Sequence, residues 1–289
     1  MILAAIDIGS NAARLLIAET DAAKPSAIKT LSLDRLGLGL GFDVFETGAI
    51  SPARERPLLE AMQAFRRRMD EFKVSHYRAY ATAAMRNAAN ASEITERIKQ
   101  ATGIKIEVIS GEQEADINFL NHEQQGSAGA GIFIDVGGGS TELTVFLDKQ
   151  SHARRSFNIG AIRVFKGQVS EQNWQELEAF LRQHIKTSTE LKAYGTGGSI
   201  SKLFSICALD NASMMPLAML NAKIEELRTV SVADRISVYG IEPDRAELIV
   251  PALGIFSRIL SIAGIEGIYA HRAGLASGMI RSLAKELTA

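Results

Sequence analysis

Residues Gly131 to Phe146 read GIFIDVGGGSTELTVF: an apolar run, one acid, three consecutive glycines, two hydroxyls and a second apolar run. Glycines lack Cβ, so they can take positive φ and turn several backbone N–H groups into one concavity, which cradles a phosphate with no charged side chain. Gly137, Gly138, Gly139, Ser140 and Thr141 are therefore candidate phosphate-binding residues. Asp135 ends the first run and faces the same concavity. A carboxylate beside a phosphate is repelled unless a hard cation lies between them, so Asp135 implies Mg2+ or another divalent cation, bridged by water. A tight glycine hairpin flanked by an ordinary Asp explains the same letters, and one such loop leaves both readings open.

A second copy shifts the balance. Residues 4–18, AAIDIGSNAARLLIA, repeat the plan of strand, acid, glycine turn and strand. Asp7 takes the place of Asp135 as a metal candidate, and Gly9, Ser10 and Asn11 that of the phosphate turn. The two acids lie 128 residues apart, nearly half the chain, which predicts two related halves whose loops face across a cleft. A third glycine stretch, AYGTGGSI over residues 193–200, precedes a helix and adds Gly197, Gly198 and Ser199 to the phosphate-binding set.

Glu114 falls in the first turn of a helix opened by Ser110, where the helix dipole favours an ionised carboxylate able to take a proton from water. Glu112 has an equal claim from spacing, and solvated first-turn acids are common. Arg86 follows a predicted strand and could neutralise charge on a transferring phosphoryl group, or lie on the surface. Glu142 is either an organiser of the metal or a plain strand-surface acid. Arg35, in the glycine-rich stretch 34–42, is a phosphate contact or part of a connector. His76, His122, His152, His184 and His271 show no metal spacing. There is no P-loop signature and no G-x-S-x-G elbow.

These residues need elements to position them. The pattern predicts strands at 28–33, 77–82, 104–109 and 268–270 beside the two hairpins, with a turn at 24–27. Helices are expected from Ser51-Pro52, with Ser51 as cap, to Phe72, after Asn90 as cap to Gly103, from Ser110 to near Gly126, and over 172–191, 224–239, 245–263 and 274–287. Strands and helices interleave throughout, so the class is α/β with mixed sheets. The small residues from Gly126 to Gly131 place a boundary and hinge there, giving domains 1–125 and 126–289, with the last helix (about 277–288) packing back on the first.

The chain has 289 residues, 46% hydrophobic and 22% charged, with net charge −1. No bulk basic field attracts a polyanion such as nucleic acid, so a phosphate-rich ligand needs a local lining. The single Cys207 is expected in the core, which fits a reducing cytoplasm. Neither a signal peptide nor a membrane span is expected.

Four pieces together, IDIGSNAARLLIAE, ATAAMRNAANA, ISGEQEADI and IDVGGGSTEL, resemble the exopolyphosphatase and guanosine pentaphosphate phosphohydrolase family, within the superfamily of actin, sugar kinases and chaperone ATPases. The similarity runs end to end, through YGTGGSI and Pro243-Asp-Arg-Ala-Glu247. It implies two actin-like (ribonuclease H-like) domains with the active site in the interdomain cleft. The implied activity is hydrolysis of the terminal phosphoanhydride of inorganic polyphosphate, or of guanosine pentaphosphate in the stringent response. By the resemblance Glu114 is the catalytic glutamate that activates water and Arg86 the arginine beside it. Asp135 and Glu142 match its magnesium-site and hairpin acids, and Gly137 to Thr141 its phosphate loop. Homodimers are common in the family. A sensor of polyphosphate or guanosine tetraphosphate, without catalysis, is the alternative. Three departures bear on phosphate grip: Asp116 stands where Arg is usual, Ala12 where Ser is frequent, and Gly274-Leu-Ala-Ser-Gly278 where G-L-R-E-G is usual. Longer members add a C-terminal helical domain that this chain lacks, so shorter polyphosphates are the expected substrates.

Overall fold

The computed structural model describes residues 1–21, 24–121, 129–148, 150–185, 191–210, 212–271 and 273–288. The first half runs β1 (Ile2–Ile8), β2 (Ala12–Asp21), β3 (Lys24–Gly37), α1 (Leu40–Thr47), α2 (Pro52–Glu71), β4 (His76–Ala81), α3 (Ala83–Asn87), α4 (Ala91–Thr102), β5 (Glu107–Val108) and α5 (Gly111–Phe119). The second runs β6 (Ala130–Val136), β7 (Thr141–Leu147), β8 (Gln150–Phe157), α6 (Ala161–Phe165), α7 (Glu171–His184), β9 (Leu191–Thr196), α8 (Gly198–Ile206), β10 (Met214–Pro216), α9 (Leu217–Thr229), α10 (Val232–Ser237), α11 (Pro243–Ala246), α12 (Ile249–Ala263), β11 (Gly267–Ala270) and α13 (Leu275–Thr288).

Two compact units form: Met1–Asn121 with Ala273–Ala289, and His122–Arg272. The sheet of the first has the order β3-β2-β1-β4-β5 and that of the second β10-β11-β9-β6-β7-β8. Within that second order, β8-β7-β6-β9-β11 matches the first strand for strand. In each, an antiparallel meander joins strands parallel to its first member. The repeat read from two hairpins therefore extends through both sheets.

Alternation along β1 sorts the first core into two layers. Ala4, Ile6 and Ile8 face α2 and α4, whose Leu58, Met62, Phe65, Ile94 and Ile98 are buried. Leu3 and Ala5 face Leu275, Met279, Ile280 and Leu283 of α13. On α13, Gly278 lets the helix meet α5 closely, since a Cβ there would lie 2.1 Å from the Ile117 carbonyl oxygen. In the second unit α12 packs on β6, α6, α7, α8 and α9. On the opposite face of that sheet Phe133 stacks on Phe146 at 4.6 Å, and Tyr194 on Tyr269 at 5.5 Å.

Several expectations need correction. Residues 24–27 belong to β3, which continues to Gly37 by pairing with β2, so the turn and the first part of the glycine connector (34–37) are strand. The rest of that stretch enters α1 from a left-handed Gly39. Ser51 does not cap α2; its hydroxyl donates to Asp43 Oδ2, and Asn90 similarly serves Ile50 through both amide atoms. The predicted 224–239 helix breaks where Ser231 caps α10, and the 245–263 helix breaks between α11 and α12. Strand 104–109 shortens to two residues. Gly131 lies inside β6, where a Cβ would come 2.4 Å from the Lys192 carbonyl oxygen, so it serves strand packing and not a hinge. Gly126 and His122 lie outside the described residues, as do the expected end of the Ser110 helix and residues 186–190. Cys207 is half-buried at the end of α8, with burial raising its thiol pKa.

Candidate active site

In the first unit, α5 opens with a capping box: Ser110 Oγ accepts from Gln113 N, and Gln113 Oε1 accepts from Ser110 N. The box fixes the orientation of the first turn, which buries Glu114 to 8% exposure while Glu112 and Asp116 point to solvent. Of the two acids in this turn, only Glu114 is enclosed. Arg86, on α3, is also no surface arginine. Its Nη1 donates to the Ile109 carbonyl oxygen at 2.7 Å and lies 3.5 Å from Glu114 Oε2. The guanidinium thus stands within ion-pair distance of the enclosed carboxyl.

The first glycine turn is tightened by Gly9 N donating to Ala12 O. Asn11 O accepts from Leu38 N and Gly39 N, and Ser10 O from Gly41 N, so the backbone oxygens of the turn are engaged by the entry to α1. Among the described residues the buried Ser10 Oγ has no hydrogen-bond partner. A buried polar atom in that state fits a ligand or water contact. Asp7 pairs in register with Arg14, whose Nη1 donates to Asp7 Oδ2 at 2.7 Å.

In the second unit the equivalent pairing sets Asp135 opposite Glu142. Directly opposed residues of an antiparallel pair share a face and approach to about 4.5–5.5 Å between Cβ atoms, where like charges repel. The hairpins thus differ: the first carries its own cation at the position where the second carries a second acid. Glu142 is 3% exposed and accepts from Ser156 Oγ at 2.7 Å, so it is not a strand-surface acid.

The triple-glycine loop lies close against the segment at Gly160. None of the left-handed glycines among the described residues lies in this loop. Instead Ala161 N and Ile162 N donate to the oxygens of Gly137 and Gly138, Arg163 Nε donates to that of Gly139, and a Cβ on Gly160 would fall 2.4 Å from the Gly139 carbonyl carbon. With the three oxygens drawn toward α6 and Gly137 N donating within the turn, the amides of Gly138 and Gly139 are left for other partners. Thr141 is fully buried and its hydroxyl donates to Ile159 O at 2.5 Å, a tie between β7 and the segment before α6. Ser140 is buried and its carbonyl accepts from Gly137 N.

The third glycine stretch joins the second. β9 runs parallel to β6 with Thr196 beside Asp135, and left-handed Gly197 brings its backbone to the acid: a Cβ there would be 3.4 Å from Asp135 Oδ1. Gly198 packs against the Arg245 guanidinium, 2.6 Å from where its Cβ would stand. Gly198 and Ser199 form the first turn of α8. Spacing missed Gly160, Ser156, Arg163 and Arg14. Arg14 alone left a signal, at the place in the first hairpin that Glu142 holds in the second.

Comparison with known proteins follows this geometry. The profile described as the Ppx/GppA phosphatase family matches residues 16–287. The chain belongs to that family. Among Ppx/GppA relatives, the guanosine-5'-triphosphate,3'-diphosphate pyrophosphatase of Vibrio vulnificus (strain YJ016) is 26% identical over 303 residues, 98% of this chain and 59% of its own length. The chain therefore spans less than two thirds of that curated relative. The crystal structure of the Aquifex aeolicus Ppx/GppA family member superposes with a TM-score of 0.77 at 26% identity, covering 99% of this chain and 98% of that one. The exopolyphosphatase of Cytophaga hutchinsonii ATCC 33406 gives 0.84 at 21% identity, covering 99% and 98%. The fold is that of these Ppx/GppA structures, the actin-like α/β fold with two mixed sheets.

Proposed function

We propose that this protein is a phosphoanhydride hydrolase that removes the terminal phosphoryl group of inorganic polyphosphate as orthophosphate. The observation that carries the reading is Glu114, enclosed in the first turn of α5 and held at 3.5 Å from Arg86, while the neighbouring acids face water. In the proposed step, water attacks the terminal phosphorus in line, its proton passes to Glu114, and the bond to the bridging oxygen breaks, leaving the shortened chain with that oxygen's charge. Such transfers need positioning and charge stabilisation more than covalent help. The amides of Gly138 and Gly139, Ser10, and the turn at Gly197 to Ser199 act as phosphate donors, and Arg86 offsets charge on the reacting group.

Mg2+ is part of the proposal. Among the described residues no cluster of three His, Cys, Asp or Glu side chains forms. Mg2+ is commonly held by one or two carboxylates, with waters and substrate phosphates completing its shell. The opposed Asp135 and Glu142 fit that donor set, because a divalent ion offsets their mutual repulsion. Asp7 is proposed as a further acid for the ion; its Oδ2 accepts from Arg14. The ion would supply neutralisation of phosphate charge.

A second reading, guanosine pentaphosphate hydrolysis, draws support from the activity named for the Vibrio relative. Phosphate release from polyphosphate and from guanosine pentaphosphate, each with and without Mg2+, tests both. Release from polyphosphate that stops on chelation and returns with Mg2+ is expected. Preference for the pentaphosphate by kcat/KM would favour the second reading. Binding of either compound with no release from both would sink catalysis altogether and leave a sensor. We also propose an intracellular, cytoplasmic setting; no helix among the described residues is long and apolar enough to cross a membrane.

A further inference from the structure

A cavity of about 430 Å3 lies in the second unit, lined by none of the residues proposed above for catalysis. Its walls include Val164 of α6, Trp174 of α7 and Pro251 of α12, and two guanidiniums, Arg228 and Arg258, stand at it. A volume in this range suits a small organic ligand, and apolar walls with a few convergent polar groups are the usual composition of such sites.

Gly254 supplies an independent observation. It sits in the middle of α12, where glycine is unfavourable in backbone entropy against alanine. Close packing does not account for it, because a Cβ there would meet no atom within 4 Å among the described residues. It lines the cavity, and its missing side chain leaves that space open. The cations are also available for exchange. Arg258 lies over Trp174 at 4.1 Å and pairs with Glu171, and Arg228 pairs with Glu225, but the acid side chains are 68% and 64% exposed. Solvated pairs of this kind are weak and are readily replaced by a ligand anion held against an apolar wall.

We propose that this cavity binds a small organic carboxylate with an apolar body of about two rings, its charge on Arg228 and Arg258. Through Val164 the ligand would touch α6, the same short helix whose first residues donate to the oxygens of Gly137 and Gly138. Occupancy would therefore be felt at the triple-glycine loop, which makes the cavity a regulatory site.

Titration calorimetry of the full chain with 2-naphthoate and with neutral 2-naphthalenemethanol tests the site whether or not the protein hydrolyses phosphate. The carboxylate should bind at least tenfold more tightly than the alcohol. Arg228→Gln should erase most of that preference, and Gly254→Leu should weaken 2-naphthoate at least tenfold while melting no lower than wild type. Gly254→Ala, which favours the helix, should weaken it about threefold and serves if the leucine variant does not fold. Amide resonances of Gly138 and Gly139 should shift on binding. Failure to bind 2-naphthoate at millimolar concentration, equal affinity for both probes, or unchanged affinity in the folded Gly254 variants would overturn the site. Binding that leaves the loop resonances unmoved would overturn its regulatory role.

Discussion

Glu114 differs from Glu112 and Asp116 by enclosure, and the difference comes from the capping box that orients the first turn. Exchange of Glu112 for Gln should therefore leave turnover within about twofold, since surface changes of this kind are nearly silent. Arg86→Gln should lower kcat about 10²–10³-fold, the range for losing one preorganised donor at developing charge; steady-state kinetics on polyphosphate checks both. Residue identities were legible where chemistry restricts them: acid before a glycine turn, acid in a first turn. Burial was not. Glu142 reads equally as an organiser of the metal or a strand-surface acid until Ser156 arrives from the neighbouring strand, and Arg14 reads as an ordinary strand residue until the register sets it opposite Asp7. Both facts depend on strand pairing, which no local pattern fixes.

At the scale of elements, sequence showed best what local physics dictates: the buried stripe of α2, the left-handed Gly103 ending α4, the Ser110 cap. It failed where tertiary contacts override local preference. Asp43 captured Ser51, pairing with β2 drew the glycine stretch into β3, and the triple glycine answers to Gly160 across a turn, with no need of positive φ. The α13 packing gives two measurable consequences. Gly278→Ala must push α13 from the α5 backbone and should cost about 1–3 kcal/mol, the usual range for overpacking, read by denaturant unfolding. Arg78 also holds Glu286 of α13 through two hydrogen bonds of 2.9 and 2.7 Å, and this lowers the Glu286 pKa. A carboxyl whose folded pKa is depressed stabilises the fold above its unfolded value and loses that contribution as pH falls through the folded one. Glu286→Gln should therefore lower stability at pH 7 by ~1 kcal/mol or less, given the side chain's 55% exposure, and by nothing measurable near pH 2.

For the whole molecule, the repeat of two hairpins foretold two sheets of one strand order, because a shared acid-glycine turn is the visible part of a shared topology. The first unit also depends on the far end of the chain: Leu275, Met279, Ile280 and Leu283 complete its second core layer over Leu3, Ala5, Leu16 and Ala18. Four large buried side chains at ~1.5–3 kcal/mol each rival the total stability of a domain, about 5–15 kcal/mol. A chain ending at residue 271 should therefore lose cooperative unfolding of the first unit, seen in calorimetry as a missing or broadened transition. Activity should vanish with it.

The central claim, that Glu114 takes the proton of the attacking water, is tested most directly by orthophosphate release from polyphosphate in Glu114→Gln under saturating Mg2+. The account predicts a kcat lower by about 10²–10⁴-fold, the contribution of a positioned general base, with KM and melting temperature close to wild type. A kcat within a few-fold of wild type would contradict it.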